Sequence, residues 1–184
     1  MVCIVWKINK AIPQYTFRIL SLSIFLLCVL FTGNSKAAPD NLSLLVNGKS
    51  IHMNKTANAS YNETNWGFGL QYEFAKSGPG WVPFATVSGF KDSNSQASYY
   101  AGGGYMRRVI LLRKFNQLHV DAGLVGFVMS RQDFQNGEPF VGALPALSLG
   151  TRDVSVNVTY IPKVHPKITE LVFFQLKLST RSLK

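Results

Sequence analysis

The chain has few of the residues on which several classes of protein depend. Its two cysteines, Cys3 and Cys28, both lie near the N-terminus, so the rest of the chain has neither a disulfide framework nor a catalytic thiol. No long apolar run follows residue 31, which argues against a membrane-spanning helix beyond that point. The three histidines are dispersed without paired spacing, and we therefore expect no metal and no other cofactor.

The N-terminal segment has the features of a secretory signal peptide. An apolar run at residues 19–31 follows three basic residues and precedes the small-residue site Ser35-Lys36-Ala37. This order predicts a signal peptide over residues 1–37, removed by cleavage after Ala37. An uncleaved anchor is the alternative, although the run is shorter than the about 20 residues that a membrane span needs. The remaining residues, 38–184, are then expected to form a single domain.

Acidic residues are scarce, with 9 against 19 lysines and arginines. Without the four basic residues of the predicted signal peptide the formal net charge is still +6. The bases are scattered and form no basic-aromatic motif, so we do not expect a nucleic-acid partner. In an exported protein, the anionic partner that such a charge favours is phosphate-bearing membrane lipid.

The sequence is rich in a two-residue alternation of apolar and polar side chains. In residues 65–74 large apolar side chains alternate with glycine and polar residues, and residues 153–160 repeat the pattern. This period is typical of a strand with one apolar and one polar face. Because the bulky residues share one face and small residues share the other, the pattern favours a strand whose bulky face meets lipid and whose other face lines a lumen.

Turn-rich stretches divide the chain after residue 37 into eight such segments. Most are close to the about 9–11 residues that a tilted membrane strand requires. We therefore predict an all-β fold, an eight-stranded antiparallel up-and-down transmembrane β-barrel, whose interior is filled by side chains or holds one small ligand. The predicted strands are 42–53, 65–75, 81–90, 97–107, 117–129, 139–149, 153–161 and 169–178.

Strand parity predicts what the two ends of this barrel contain. At the outer mouth it brings together five polar side chains that are far apart in sequence: His52, Asp92, Ser93, Arg131 and His165. Along the lumen, the inward faces predict small or apolar residues in the upper half and polar groups in the lower half. There, His119 or Lys177 is expected to pair with Asp121 or Glu73. The apolar half fits a slot for a hydrocarbon chain and a solid core equally well.

Three residues of the outer mouth are of the types that carry out acyl transfer. Ser93 supplies a hydroxyl, His52 can act as general base near neutral pH, and Asp92 can orient or electrostatically support the histidine. Serine and aspartate are common in loops, so the residue types alone do not define a site. Lys91 and Arg131 could hold anionic headgroups, although exposed bases serve solubility as often.

Several stretches of the chain occur in the same order in a known family. They are Tyr61-Asn62-Glu63 with Trp66-Gly67, Phe90-Lys91-Asp92-Ser93, Gly102 with Gly104, Arg131 with Asp133, Leu144-Pro145, and Thr159-Tyr160-Ile161-Pro162. This ordered set spans roughly residues 50–178 and resembles the outer-membrane lipid A palmitoyltransferase (PagP) family.

The resemblance implies an acyltransferase that moves a palmitoyl chain from a phospholipid donor to lipid A in the outer leaflet of a Gram-negative outer membrane. It implies that His52, Asp92 and Ser93 are the catalytic residues. It also implies an acyl-chain slot with Gly104 near its floor, where a larger residue would shorten the accepted chain. The other predicted slot residues are Gly102, Val125, Phe127, Met129 and Phe173.

The resemblance further implies that prolines thin the barrel wall for lateral access of lipid. They correspond to Pro162 and Pro145, with Pro139 as a rival for the latter. We expect a monomer. Two other functions stay open, a lipid A deacylase, which would remove acyl mass, and a non-catalytic barrel that binds lipid, which would leave lipid A intact.

Overall fold

The computed structural model describes residues 41–53, 61–74, 78–114, 116–132, 134, 137–163 and 170–180, which form a closed antiparallel barrel. Each strand pairs with the next in sequence and the last pairs with the first, which confirms the predicted fold class. Within these residues no helix is long and apolar enough to cross a membrane. The predicted signal peptide and His165 lie outside the described residues. The strands are β1 (Leu42–His52), β2 (Thr64–Glu73), β3 (Trp81–Lys91), β4 (Ala97–Leu112), β5 (Leu118–Arg131), β6 (Phe140–Gly150), β7 (Val154–Ile161) and β8 (Leu171–Ser179).

Large apolar side chains lie on the outer face of the barrel and polar side chains lie inside it, the reverse of the arrangement in a soluble protein. Trp66 and Phe68 on β2 are 63% and 65% exposed, whereas Asn47, Ser98 and similar polar residues inside the barrel are fully buried. A soluble monomer seldom exposes such a continuous apolar surface. The outer surface is therefore suited to a hydrocarbon environment, as the alternation in the sequence predicts.

A β-bulge in β1 changes which of its residues face the lumen. Before the bulge the odd-numbered residues Leu45 and Asn47 are buried, and after it Ser50 and His52 are buried. The pairing of β1 with both neighbouring strands shifts in register after Asn47. Because side chains alternate with period two, one extra residue reverses the faces of all that follow. The bulge is what directs His52 inward.

β4 is longer than the sequence analysis predicts. It runs to Leu112 and does not end at residue 107, so the predicted connection over residues 108–116 is wrong in its first part. Arg108 therefore lies on the inward face of a strand, paired in register with Asp121 of β5. The run Val109–Leu112 is apolar and β-branched at its start, a composition that favours continued strand over a turn.

Arg108 organises the polar layer in the lower lumen. Its guanidinium donates two hydrogen bonds to Asp121, of 2.9 and 2.7 Å, and also contacts both carboxylate oxygens of Glu73 at 3.1–3.2 Å. Lys177 Nζ lies 2.7 Å from Glu73 Oε1, which confirms the expected pairing of those two residues. A network of ion pairs thus crosses the lower lumen, in which charge-assisted bidentate bonds dominate.

The barrel wall is incompletely paired between β6 and β7. Their ladder covers only Ala146–Gly150 against Ser155–Thr159. The preceding part of β6, Phe140–Pro145, pairs with β5 but not with β7. The upper half of this seam therefore has no strand pairing between β6 and β7.

Candidate active site

His52 and Ser93 meet at the upper mouth of the barrel. His52 Nε2 lies 3.0 Å from Ser93 Oγ, a hydrogen-bond distance, although the two residues are 41 positions apart. The imidazole is buried, with 0% of its side chain exposed. A hydroxyl at this distance from a histidine nitrogen is the geometry that lets the imidazole take its proton.

A short segment, Tyr61-Asn62-Glu63, makes non-covalent contacts with both His52 and the loop of Ser93. The ring of Tyr61 stacks on the imidazole of His52 with centroids 4.4 Å apart and an angle of 13° between the planes. The backbone N–H of Asn62 donates to the carbonyl oxygen of Ser93 at 2.8 Å, and its side-chain amide donates to that of Asp92 at 3.0 Å. The segment thus fixes both the orientation of the ring and the position of the loop that carries the hydroxyl.

The carboxylate of Glu63 lies beside the imidazole. Its Oε1 atom lies 3.5 Å from His52 Nδ1 and 3.4 Å from the backbone nitrogen of the same residue. Sequence reasoning named Asp92 as the carboxylate that would orient or support His52 and did not consider Glu63. The position of Glu63 depends on the strand pairing. It reaches His52 where β1 meets the start of β2, and there Ser50 N donates to the carbonyl oxygen of Glu63.

Asp92 is buried and shapes the loop that carries Ser93. Its Oδ1 atom accepts hydrogen bonds from the backbone nitrogens of Asn94 and Gln96, at 2.9 and 3.0 Å. Its Oδ2 atom accepts a bond from the hydroxyl of Ser98 at 3.0 Å. These bonds form a side-chain-capped turn of the kind that aspartate favours. A direct catalytic role for Asp92 stays a prediction.

The two bases proposed as headgroup contacts differ in position. Arg131 lies at the mouth, with its Nε atom 3.7 Å from the carboxylate of Asp92. Lys91 ends β3 on its outer face and is exposed. Their role as headgroup contacts stays a prediction. His119, the other described histidine, lies near the lower end of β5 with its Nδ1 atom 2.8 Å from the carbonyl oxygen of Gln117.

An apolar cavity extends from the mouth into the barrel. An upper chamber of about 80 Å³ lies against Asp92, Ser93 and Arg131. A lower chamber of about 110 Å³ continues from it and is lined mainly by apolar side chains. Five residues line both chambers and define the neck between them: Phe90, Phe127, Met129, Leu144 and Ile161. Of the predicted slot residues, Val125, Phe127, Met129 and Phe173 line the cavity.

Gly102 and Gly104 face inward on β4, but neither forms the surface of the cavity. The aromatic ring of Phe84 lies over Gly104, so that a Cβ atom built on this glycine would be 2.9 Å from two ring carbons. Phe84 packs with Met106 and Ala146 into a buried apolar cluster directly above the polar layer. All three residues line the lower chamber, and Phe84 with Met106 and Ala146 therefore forms its floor. Sequence reasoning did not single out Phe84.

The predicted access prolines flank the incompletely paired seam. Pro145 is the last residue of β6 before its ladder with β7 begins, and Pro162 follows the end of β7. The upper chamber reaches this seam, since Phe140, Leu144 and Pro162 are among its lining residues. Pro139 lies before β6, outside the strand. Of these two residues, Pro145 is therefore the one that lies in β6 beside the seam.

The fold and the site together define a class of protein. It is a small lipid-facing β-barrel with a buried histidine–serine pair above an apolar lumen. The chain belongs to the PagP family, whose model, described as antimicrobial peptide resistance and lipid A acylation protein PagP, matches residues 41–177. The resemblance stated from the sequence is thereby confirmed.

Curated relatives carry the name lipid A acyltransferase PagP. The chain is 33% identical over 103 residues to that of Bordetella pertussis, covering 56% of this chain and 54% of the relative. It is 30% identical over 103 residues to that of Methylobacillus flagellatus, with the same coverage. For that of Legionella pneumophila the values are 31% over 103 residues, covering 56% and 52%. The chain thus spans about half the length of the curated relatives it matches.

Among solved structures, the outer membrane protein Ail of Yersinia pestis in a phospholipid bilayer nanodisc aligns with 74% of this chain and 97% of its own. The TM-score is 0.40 and the identity 8%, values too low to support an inference about this chain.

Proposed function

We propose that this chain transfers a long acyl chain from a phospholipid to lipid A in the outer membrane of a Gram-negative bacterium. The observation that carries the proposal is the 3.0 Å approach of His52 Nε2 to Ser93 Oγ at the top of an apolar cavity. Membership of a family described by lipid A acylation supports the acceptor. The exposed apolar belt supports a membrane location.

The reaction exchanges one ester for another. His52 takes the proton of an attacking hydroxyl, whose oxygen forms a bond to the carbonyl carbon of the donor ester. The bond from that carbon to the glycerol oxygen breaks, and the departing oxygen receives the proton from the imidazolium. The lysophospholipid then leaves. In the second half of the reaction a lipid A hydroxyl gives its proton to His52 and attacks the acyl carbonyl carbon, the bond from that carbon to the first attacking oxygen breaks, and that oxygen takes the proton back, which leaves the chain esterified to lipid A. Ser93 is the hydroxyl already held in position for the first proton transfer.

The cavity supports a hydrocarbon chain as the group transferred. With the ester carbonyl next to Ser93, the chain would pass the neck at Phe127 and end on Phe84. The seam beside Pro145 offers a lateral route from the outer leaflet, so that the chain need not cross the polar rim. The ion pairs below Phe84 oppose penetration of the chain into the lower lumen, because entering would leave charges unpaired.

The direct test is mass spectrometry of lipid A from cells with and without the chain. We expect lipid A to gain one long acyl chain when the protein is present, and a Ser93→Ala variant to give no such species while still inserting into the membrane. A loss of acyl mass would instead identify a deacylase that uses the same residues. Unchanged lipid A, with the folded wild-type barrel in the membrane, would contradict any acyl transfer and leave lipid binding as its role.

Phe84 gives a second test, which concerns chain length. A Phe84→Ala variant should shift the transferred chains towards greater length, because removing the ring deepens the cavity down to Gly104. The substitution should also cost about 3–5 kcal/mol of stability through the void it leaves. The measurement is the mass of the acylated product when donors of several chain lengths are supplied together.

Val87→Ala is the matched control for this test, since Val87 lies on the same strand, faces outward and is exposed. It should leave the distribution of chain lengths unchanged. An unaltered distribution in folded Phe84→Ala would mean that the floor lies elsewhere. Substituting Gly104 is less informative, because any side chain there also clashes with the carbonyl oxygen of Leu124 and must move the backbone.

A further inference from the structure

The buried imidazole of His52 needs a partner for its second nitrogen. Its Nε2 atom faces Ser93, and a base that accepts a proton at Nε2 must carry hydrogen on Nδ1. Because the side chain is 0% exposed, Nδ1 cannot exchange hydrogen bonds freely with bulk water. A protein carboxylate that faces Nδ1 would select this tautomer and stabilise the imidazolium that forms when the proton moves.

Glu63 is the carboxylate in that position. Its Oε1 atom lies 3.5 Å from Nδ1, which is long for a hydrogen bond, but catalytic bonds are often long before substrate binds. The backbone nitrogen of His52 lies 3.4 Å from the same oxygen, which holds the carboxylate beside the residue. The side chain of Glu63 is 24% exposed, so the cost of keeping its charge is modest.

Asp92 is engaged elsewhere. Both of its oxygens accept hydrogen bonds, from the backbone of Asn94 and Gln96 in its own loop and from the hydroxyl of Ser98 at the start of β4. Rotating this carboxylate towards the imidazole would break the turn that presents Ser93. Tyr61 stacks on one face of the ring, and the ring edge that carries Nδ1 lies beside Glu63.

We propose that Glu63 is the positioning carboxylate of a Ser93–His52–Glu63 triad, which rests on the function proposed above. Glu63 does not need to touch the substrate. It holds the imidazole in the tautomer with hydrogen on Nδ1 and offsets the positive charge that develops on the ring. The same three residue types form catalytic triads on unrelated folds, recognised by geometry and not by order in the sequence.

The experiment combines kinetics with a direct reading of the tautomer. Purified barrel in detergent is assayed for transfer from phospholipid to lipid A, and the nitrogen chemical shifts of His52 are measured in the same samples. We expect Glu63→Gln to lower kcat by at least about tenfold with KM little changed, because the carboxylate acts on the reacting step. We expect Glu63→Asp to recover part of the loss, and the Nδ1-protonated form to decline in Glu63→Gln.

Glu170→Gln is the matched control, as Glu170 lies at the same rim and its carboxylate accepts a hydrogen bond from the hydroxyl of Tyr160. It should leave both kcat and the His52 signals as in the wild type. The proposal is overturned if Glu63→Gln keeps wild-type kcat and tautomer, or if Asp92→Asn changes the tautomer in its place. A wild-type protein without any transfer would refute the proposed function, whereas the tautomer measurement would still decide the role of Glu63.

Discussion

A His52→Asn variant is expected to lose acyl transfer by a factor of about 10²–10⁴, the usual contribution of a positioned general base. Asparagine keeps a polar group at the mouth but cannot take a proton from Ser93, which lies 3.0 Å from the imidazole in the wild-type protein. The decrease should appear in kcat, because in the proposed reaction His52 acts on the hydroxyl and not on the acyl chain in the cavity. The measurement is the initial rate of appearance of acylated lipid A in detergent or in vesicles.

His119→Asn is the control for this variant. His119 is also a buried histidine, but it lies near the lower end of β5, beyond the floor of the cavity. Its replacement should leave the rate of transfer unchanged even if it lowers the stability of the barrel. Equal activity of His52→Asn and wild-type protein, with both folded, would remove the basis for assigning catalysis to the mouth.

An Arg108→Met variant is expected to lose about 3–5 kcal/mol of stability, the usual cost of removing one member of a buried ion pair. Methionine fills most of the space but leaves Asp121, whose side chain is 1% exposed, without its bidentate partner. Lys177 still neutralises Glu73, so the loss is concentrated on one carboxylate. The measurement is the free energy of unfolding in denaturant, followed by loss of β-sheet circular dichroism.

Arg107→Met makes the comparison specific, because Arg107 is the preceding residue of β4 and faces outward. Its guanidinium lies over the ring of Trp81, 5.6 Å from the centroid, and its replacement should cost only about 0.5–1 kcal/mol. Adding Asp121→Asn to Arg108→Met should recover part of the stability, because the buried carboxylate charge that lost its partner is then removed. Equal losses for Arg107→Met and Arg108→Met would mean that the lower network does not hold the barrel together.

Much of the fold could be predicted because its signals are local. The alternation in residues 65–74 depends only on the period of a strand, and it correctly assigned Trp66 and Phe68 to the outside and Gln71 to the inside. Turn-rich stretches located eight strands, and strand parity then brought His52, Asp92, Ser93 and Arg131 to one mouth. The error at β4 arose where charged residues inside a strand resembled a polar connection.

The contacts within the site could not be predicted in the same way. Asp92 follows β3 next to Ser93 and was the obvious carboxylate, yet Glu63 is the one beside His52. In the sequence, nothing separates Phe84 from the other apolar residues, whereas in the structure its ring lies over Gly104. Both facts depend on which residues lie opposite each other across strands, and a short sequence pattern carries no information about that register.

By itself, the sequence determined a barrel of eight lipid-facing strands with an apolar upper lumen, since these features follow from side-chain alternation and turn chemistry. The inward orientation of His52, in contrast, follows from the three-dimensional structure. Strict alternation from Asn47 would turn His52 outward, and the bulge that reverses the faces is seen in the pairing of β1 with both β2 and β8. That double pairing is a property of the closed barrel and of no single segment of the chain.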